Sequence, residues 1–287
     1  MSRTLVELAD TTQDQLLAGM INDLLKVDQL TAALIAQAKT TDRPTIKFNR
    51  LASVPTPVVA SCTTEFTSQA LSGNAYSVDL LTYAVQFNAC TIGQNLYSSF
   101  DDVVNAELVA AIQGMSHKML AGAVGAGNGS SDIYGLGSFA ANTVNCAVSG
   151  AADVGDFDAL IDAVKVKEPG QIFVGSPLAV RKFVKELRLE SSMQFQELAG
   201  TTLNTPSYRG YNIVAAEGLG DNKIYFFGPS GYSLWFGERQ DQSVGGIFGF
   251  QDLGVSQTKM ESIYRLYAHI AGVSLNPQGL AVLNNIG

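Results

Sequence analysis

The chain of 287 residues has few of the side chains from which active sites are usually built. It contains two histidines and three cysteines, Cys62, Cys90 and Cys146. An odd number of cysteines without a CxxC pair argues against a disulfide framework, and two histidines give them little help in binding a metal. No basic neighbour in the sequence activates any of the three, so we expect buried, unreactive thiols.

Positive charge is also scarce. The chain carries 18 lysines and arginines against 26 aspartates and glutamates, and no lysine or arginine lies between Arg50 and Lys118. A dedicated nucleic-acid-binding protein shows a basic patch or stripe, because ion pairs to phosphates supply much of its affinity. The composition, with a net charge of -8, therefore argues against a protein whose main task is tight phosphate binding.

Long apolar runs are missing as well. No stretch of about 18 apolar residues spans a bilayer, and the first residues lack the apolar block of a signal peptide. We expect a chain that has no membrane segment and folds in a reducing cytoplasm. Its apolar content of 46% is enough to bury the core of one large domain or of two domains of ordinary size.

The segment GAGNG at residues 125–129 comes nearest to a ligand-binding motif. It is not GxGxxG, because Ser130 follows it, and it comes after a predicted helix, whereas a phosphate loop follows a strand. Asp132, near Asn128 and Ser130, lacks the alternating carboxylates of a calcium loop, which favours a solvated turn. The sequence also has no Walker lysine, no HExxH and no GxSxG.

General acid or base chemistry would fall to His117 or His269. His117 lies near the end of a predicted helix, where an interaction with the helix dipole is a sufficient role, and His269 lies on the polar face of a predicted strand. An enzyme that pairs Cys90 or Cys146 with His269 is an alternative. We assign no catalytic residue, no cofactor-binding residue and no metal ligand.

The strongest secondary-structure signal is a helix within residues 98–137 that breaks into the glycine-rich turn. Ser99 and Asp102 fit a capping box at its start. Apolar residues then recur at steps of three and four, which predicts an amphipathic helix of about 25 residues, roughly 38 Å long. The apolar stripe consists of Val104, Leu108, Ile112, Met115 and Met119.

Polar residues of this segment are expected mostly on the other faces of the helix. They are Asn105, Glu107, Gln113, Ser116 and His117. His117 and Lys118 would complement the negative end of the helix. The glycines Gly122, Gly125, Gly127 and Gly129 would let the backbone leave the helix through positive φ. A rod of this kind is typical of a structural spine.

The first third of the chain alternates helical and extended patterns. Residues 10–39 have helical spacing in two pieces that meet near Asp28. Residues 40–57 contain three prolines and predict an extended arm. Residues 58–73 and 75–93 predict two strands around a turn, and the second alternates polar with apolar side chains.

A helix, a strand and a helix follow the glycine-rich turn. The first helix is predicted over residues 156–168 with Asp156 as its cap. A short buried strand is predicted at residues 171–177, and the second helix, at residues 178–188, has basic side chains on its outer face.

The last part of the chain is rich in short strand patterns. Residues 205–239 predict a meander, because strand-like runs alternate with glycine, proline, asparagine and aspartate turns. Within it, Trp235 is expected in the core, although its aromatic neighbours are also compatible with an interface. Residues 262–272 predict a strand whose apolar side chains face one way, with Arg265 and His269 facing the other.

In this order, the parts resemble the major capsid protein of tailed bacteriophages, the Hong Kong 97-like family. Three stretches carry the resemblance: the helix that breaks as AGAVGAGNGSSDIYGLGSFA, DFDALIDAV followed by QIFVGSPLAVRKFVKEL, and the closing series SYRGYNIVAAEGL, IYFFGPSGYSLWFGER and YRLYAHIAGVSLNPQGLAVL. In the first, Gly127, Asn128, Gly129 and Gly135 match the family's glycine turn. The resemblance covers almost the whole chain.

The resemblance implies an α+β capsid fold with four regions. They are an N-terminal arm at 1–45, an extended loop (a β-hairpin) at 46–78, a peripheral domain with the long spine helix at 79–133 and 257–284, and an axial domain at 134–256. GAGNG then becomes the hinge between the peripheral and axial domains, so Gly127→Val is expected to block assembly.

The implied function is that of a non-enzymatic structural protein. It would self-assemble into hexamers and pentamers that form the icosahedral head shell around a double-stranded DNA genome. Its location would be the virion, after assembly in the cytoplasm of the bacterial host. Implied partners are other copies of itself, a scaffold or portal protein, decoration proteins and weakly contacted DNA. No cofactor and no membrane are implied.

The chain also departs from the family. Some members weld their subunits through an isopeptide bond from a lysine of the extended loop, but this chain has no lysine from Phe48 to His117, which leaves Lys47 as the one exception. We therefore expect no covalent cross-linking. Because the sequence begins directly with the arm, we also expect a separate scaffold protein, or none. Alternative functions are an encapsulin-type shell around cargo enzymes, a tail protein and the cysteine–histidine enzyme.

Overall fold

The computed structural model describes most of the chain. The account that follows is confined to residues 29–51, 73–90, 100–139, 142–146, 152–189, 193–198, 204–220, 222–237, 248–256, 259 and 261–286.

The described residues form five α-helices, fourteen strands and one 3-10 turn. The helices are α1 (Gln29–Ala36), α2 (Phe100–Val124), α3 (Leu136–Phe139), α4 (Val154–Ala163) and α5 (Pro177–Leu189). The first seven strands are β1 (Lys39–Thr41), β2 (Thr45–Leu51), β3 (Gly73–Asp79), β4 (Leu81–Cys90), β5 (Asn142–Asn145), β6 (Ile172–Gly175) and β7 (Gln194–Glu197). The others are β8 (Asn204–Tyr208), β9 (Tyr211–Ala215), β10 (Lys223–Phe227), β11 (Ser233–Gly237), β12 (Phe248–Val255), β13 (Glu261–Val273) and β14 (Leu280–Asn284), with the 3-10 turn at Pro277–Gly279.

The long strand β13 organises a five-stranded sheet. Along one edge it pairs antiparallel with the whole of β4. Along the other edge, β12 pairs with its first part and β11 with its last part, and β1 extends the sheet in parallel to β11. The alternation predicted for residues 262–272 is confirmed, because Tyr264, Leu266, Ala268 and Ile270 are buried while Arg265 is exposed.

Helix α2 packs against this sheet and has the predicted length of 25 residues. Leu108, Ile112, Met115 and Met119 are each at most 5% exposed and share a core cluster with the buried side chains of β13. The predicted cap Ser99 and the side chains of Asp102 and Val104 lie outside the described residues.

Two details of the helix prediction are wrong. Ser116 was expected on a polar face but is fully buried, since the apolar face is wide enough to include it beside Met115. His117 and Lys118 lie more than one turn before Val124, so they do not complement the end of α2, whose last turn contains no basic residue.

Strands β2 and β3 form a separate antiparallel hairpin, with Thr45 opposite Asp79 and Leu51 opposite Gly73. The strand predicted at residues 75–93 is therefore two strands, which separate at Leu80. The partner of β3 is β2, which lies in the segment predicted as an arm, so the two paired strands are separated along the chain by residues 52–72 and not by a short turn. Residues 52–72 lie outside the described residues.

A seven-stranded mixed sheet has the order β5-β14-β10-β6-β9-β8-β7. Its central side chains alternate between two core clusters. Val174, Val214 and Tyr225 pack in the cluster that contains α1 and α2, whereas Phe173 and Phe226 pack in the cluster that contains α4 and α5. The sheet is thus covered by helices on both faces.

Helices α4 and α5 confirm the predicted helix, strand and helix unit. The cap of α4 is Asp153, not Asp156: the Asp153 carboxylate accepts the Asp156 backbone N–H at 2.9 Å, and the Asp156 carboxylate accepts the Asp153 N–H at 3.2 Å. In this capping box Asp156 is the reciprocal residue, so the helix begins earlier than predicted. It also ends earlier, at Ala163.

The meander predicted for residues 205–239 is wrong beyond the β8–β9 hairpin. Strand β6 lies between β9 and β10, and β11 joins the five-stranded sheet. Trp235 on β11 is half-buried and packs against the core cluster that contains Ala271 and Val273, with the Lys39 ammonium 5.4 Å from its ring centroid, so it lies at the margin of the core.

Strand pairing crosses the predicted limits of the four regions. Strands β11 and β12 fall in the region predicted as axial, 134–256, but pair in the sheet of β13. Strand β14 falls in the segment predicted as peripheral, 257–284, but joins the seven-stranded sheet. The chain thus passes between the sheets more than once, and the region limits stay a prediction.

Residues 10–39 are predicted to be helical, and the structure describes one helix there, α1. Its residues from Leu30 to Ile35 are buried. Residues 10–28, including the predicted break at Asp28, lie outside the described residues. Over the part of the chain that the structure describes, no helix is long and apolar enough to cross a membrane.

Candidate functional site

The C-terminal half of α2, the turn after it and strand β4 meet at a polar cluster. The Tyr83 hydroxyl donates a hydrogen bond to Oδ1 of Asp132, and the Lys118 ammonium binds Oδ2 of the same carboxylate at 2.8 Å. The backbone N–H of Ile133 also donates to Oδ1, at 3.1 Å. The carboxylate therefore ties β4, α2 and the turn together.

The cluster fixes the protonation states of its members. Burial raises the pKa of Asp132, but hydrogen bonds from Lys118 and Tyr83 lower it more, so the carboxylate is ionised at neutral pH. Burial and the Asp132 carboxylate raise the pKa of Tyr83, which stays a neutral donor. These roles describe a structural tie, because the acid, the cation and the phenol satisfy each other.

The glycines of the turn are required mainly by close backbone approach. A Cβ on Gly127 would lie 1.9 Å from the Ile133 carbonyl oxygen, and one on Gly135 would lie 2.2 Å from the carbonyl oxygen of Gly125. Of the four glycines expected to use positive φ, only Gly129 does so, at 74°. The turn is thus a tightly packed junction.

The turn also closes through its own polar groups. The Asn128 side chain accepts the backbone N–H groups of Ser130 and Ser131 at 3.0 and 3.1 Å. This arrangement matches the solvated turn expected for Asn128 and Ser130, which are exposed, whereas Asp132 is half-buried and bound by Tyr83 and Lys118. Within the described residues, no three side chains of histidine, cysteine, aspartate or glutamate are placed to hold a metal ion.

The structure does not bring the candidate enzyme residues together. Cys90 pairs with Glu261 and His269 pairs with Thr82, near opposite ends of β13, which places them about 27 Å apart at about 3.4 Å per residue. Cys146 follows β5 in the other sheet, where it is buried and its pKa is raised to about 11 by burial and by Asp156. The prediction of a buried thiol is confirmed for Cys146, and its raised pKa agrees with the expected low reactivity.

The remaining candidates are placed as follows. His269 is half-buried with Nδ1 2.8 Å from the Thr82 hydroxyl, and His117 is exposed on α2. Cys62 lies outside the described residues, as does the side chain of Cys90.

Large apolar side chains are exposed at several separate places. Tyr76 on the β2–β3 hairpin is 40% exposed and stacks on Phe48, and Phe195 on the edge strand β7 is 66% exposed. Val255 at the end of β12 is 68% exposed. Single exposed apolar residues are common on protein surfaces, but β7 is also an edge strand of its sheet, and the unpaired backbone of an edge strand can pair with another chain.

Sequence reasoning missed both Tyr83 and Phe195 as notable residues. Tyr83 lies 49 residues before its partner Asp132, so no local pattern connects them. Phe195 stands between glutamines in the short segment QFQE, and an apolar residue in a polar strand was the available signal.

Comparison with known proteins identifies the fold. No protein-family profile matches the sequence, and no curated protein is significantly similar to it. The cyanophage A-1(L) capsid protein, 13% identical, aligns over 90% of this chain and 93% of its own with a TM-score of 0.67. The SrpI encapsulin complex of Synechococcus elongatus, 17% identical, aligns over 86% and 84% with a TM-score of 0.65.

A virus-like particle from Pyrococcus furiosus, 11% identical, aligns over 94% of this chain and 98% of its own with a TM-score of 0.57. The fold is therefore one that is shared by shell-building proteins. It is the α+β Hong Kong 97-like capsid fold, so the resemblance drawn from the sequence is confirmed at the level of the fold.

Proposed function

We propose that this chain is the major capsid protein of a tailed phage, which assembles into hexamers and pentamers of an icosahedral head shell around double-stranded DNA. The observation that carries the proposal is the extent of the structural likeness, which covers 90% of this chain and 93% of the cyanophage capsid protein. The protein would act in the virion after assembly in the host cytoplasm, as a structural component without enzymatic activity.

The distribution of exposed apolar residues supports a role with many neighbours. Tyr76, Phe195 and Val255 belong to three different parts of the fold, so one partner surface would not cover all of them. A subunit of a closed shell contacts several copies through separate patches, and many modest contacts add up to a stable assembly.

The predicted regions receive roles under this proposal. The arm at 1–45 and the loop at 46–78 would reach neighbouring subunits, and the axial region at 134–256 would meet its copies around the symmetry axes. A scaffold or portal protein and decoration proteins would be further partners. The net charge of -8 fits a wall that touches packaged DNA only weakly.

A second candidate is an encapsulin-type shell that encloses cargo enzymes. It is favoured by the likeness to the Synechococcus elongatus encapsulin, whose TM-score of 0.65 is close to the 0.67 of the cyanophage capsid. The two candidates share the fold and differ in what the shell contains.

Electron microscopy of the purified full-length chain tests the proposal. We expect closed shells or rings of five and six subunits, with light scattering giving a mass many times 30.4 kDa. A chain that stays monomeric at high concentration would contradict a shell function. Small shells of uniform diameter that copurify with a host enzyme would favour the encapsulin, whereas larger shells that depend on a co-expressed scaffold protein would favour the phage capsid.

A further inference from the structure

Helix α5 carries a cationic face that is unusual for this acidic protein. The segment Pro177–Leu189 holds four basic residues, Arg181, Lys182, Lys185 and Arg188, against one acidic residue, Glu186. The chain as a whole has 26 acidic and 18 basic residues. The positive charge is therefore concentrated on one element of the seven-stranded sheet's outer layer.

The exposed residues of α5 form a single stripe. Arg181, Lys185 and Arg188 are exposed and follow each other at steps of four and three. Leu178, 44% exposed, and Leu189, 70% exposed, lie at its two ends. At about 1.5 Å per residue the stripe is about 16 Å long.

The opposite side of α5 is fixed in the core. Ala179, Phe183 and Leu187 are fully buried, and Phe183 stacks on Phe157 of α4 with ring centroids 3.6 Å apart. The stripe consequently faces outward. Arg181, Lys185 and Arg188 form no ion pair with any side chain that the structure describes.

The neighbouring helix α4 has the opposite charge. Asp158 and Asp162 lie in α4, Asp153 caps it, and the helix contains no basic residue, whereas the fourth aspartate, Asp156, is buried in the capping box and adds nothing to the surface. Asp158 binds Arg209 of the β8–β9 turn, and Asp162 is exposed. Although α4 and α5 touch through Phe157 and Phe183, no ion pair between their described residues connects them.

We propose that the stripe of α5 binds the acidic surface of α4 on a second copy of this chain, as a head-to-tail contact between neighbouring axial regions. The two patches lie on different elements of one layer, so the contact is heterologous, and contacts of this kind form a ring when the rotation between neighbouring subunits closes. Electrostatic complementarity of this kind sets register and excludes wrong pairings. This inference rests on the proposed shell function.

The leucines at both ends of the stripe favour a protein over a nucleic acid as the partner. An exposed leucine gains nothing from a phosphate backbone, whereas it is buried favourably in a protein interface with charges beside it. The exposed leucines thus favour a protein partner. The acidic net charge of this chain makes another copy of it a partner whose charge is opposite to that of the stripe.

Charge reversal tests the contact. The variant R181E/K185E/R188E should raise the concentration needed for half-assembly at least tenfold, because like charges would face each other. The variant A159K/D162K reverses α4 at two exposed positions without touching the Asp153 cap or Asp158, and it should weaken assembly in the same way. Combining both sets should restore assembly to within about threefold of the unmodified chain.

The control R181K/K185R/R188K keeps charge and length, and it should assemble normally. Circular dichroism of each unassembled variant checks its fold. If R181E/K185E/R188E does not fold, A159K/D162K and the salt dependence of the unmodified chain decide, since screening should weaken a charged contact.

The possible failures are distinguishable. If the unmodified chain forms no ring or shell, the proposed function fails. If it assembles and both reversed variants assemble equally well, the α4–α5 contact is wrong while the shell function stands. Normal assembly of R181E/K185E/R188E with loss of copurified nucleic acid would show that the stripe binds a polyanion, and would also overturn the inference.

Discussion

Gly272 of β13 lies against the backbone of Tyr134, so close that a Cβ on Gly272 would be 1.9 Å from the Tyr134 carbonyl oxygen. The same carbonyl accepts a hydrogen bond from the Tyr232 hydroxyl at 3.1 Å. Tyr232 is fully buried, and burial raises its pKa, so its phenol is a neutral donor. The segment after the glycine-rich turn is thus fastened directly to the five-stranded sheet.

This contact predicts that Gly272→Ala strongly destabilises the protein. The methyl group would force the Tyr134 backbone away and disturb the buried Tyr232 hydrogen bond, at a cost of at least about 3 kcal/mol in the free energy of unfolding. Urea unfolding of the unassembled chain measures it. Gly114→Ala in α2 is the matched control, because nothing lies within 4 Å of its added Cβ, and it should stabilise by about 0.5 to 1 kcal/mol. Equal effects of the two changes would contradict the packing described.

Removing the Tyr83 hydroxyl should weaken the tie between β4 and the turn. In Tyr83→Phe the Asp132 carboxylate loses one charged hydrogen bond but keeps Lys118 and the Ile133 N–H, so we expect a loss of about 1 to 2 kcal/mol. Tyr134→Phe is the control, since no hydrogen bond joins its hydroxyl to the described residues. Unfolding curves that coincide for the two variants would show that the hydroxyl of Tyr83 contributes nothing.

The lowered pKa of Asp132 predicts a stability that depends on pH in the acidic range. A carboxylate such as Asp132, whose pKa is lower in the folded than in the unfolded state, stabilises the fold fully above the unfolded value of about 3.9. The contribution is lost as pH falls through the lower folded value. The difference in melting temperature between the unmodified chain and Asp132→Asn should be constant between about pH 5 and about pH 7. It should shrink below about pH 4. A difference that grows on acidification would contradict the assignment.

Gly127→Val was expected to block assembly, and the geometry sharpens that expectation. A Cβ at Gly127 would lie 1.9 Å from the Ile133 carbonyl oxygen, so the variant should fail to fold and never reach assembly. We expect a loss of more than about 3 kcal/mol in the free energy of unfolding, and insoluble expression. Gly137→Ala, whose Cβ would lie 3.2 Å from the Gly125 oxygen, is a milder control that should remain soluble. A soluble, well-folded Gly127→Val chain that merely does not assemble would support the original hinge interpretation instead.

Periodic patterns in the sequence predicted the elements whose burial is local in origin. The apolar stripe of α2 from Leu108 to Met119 and the alternation of β13 have the same cause: each element packs one of its faces into the same apolar core. The cap of α4 is predicted at Asp156, three residues after the true cap Asp153, because an aspartate at either position can cap a helix. Local patterns therefore fixed the type of these elements better than their ends.

Long-range pairing could not be predicted from patterns of this kind. The sheet change of β11, the insertion of β6 between β9 and β10 and the link from Tyr83 to Asp132 depend on partners far along the chain. The order of motifs supplied the fold where periodicity could not, because it carries information on the whole chain. The α5 stripe was visible as a basic outer face, but its acidic neighbour on α4 became apparent only in three dimensions.

The position of Lys47 leads to a prediction about covalent cross-linking. Lys47 is exposed on β2 opposite Ser77, and residues 48–117 contain no other lysine. An isopeptide bond from the hairpin would have to use this one amine, which lies at the described base of the hairpin, within two residues of Thr45 and its pairing with Asp79. Assembled particles should therefore dissociate in denaturing gels to a single band near 30.4 kDa. Lys47→Arg keeps the charge and removes the primary amine, so it should give the same band. A ladder of higher bands that disappears in Lys47→Arg would show that Lys47 does cross-link subunits and would overturn the prediction.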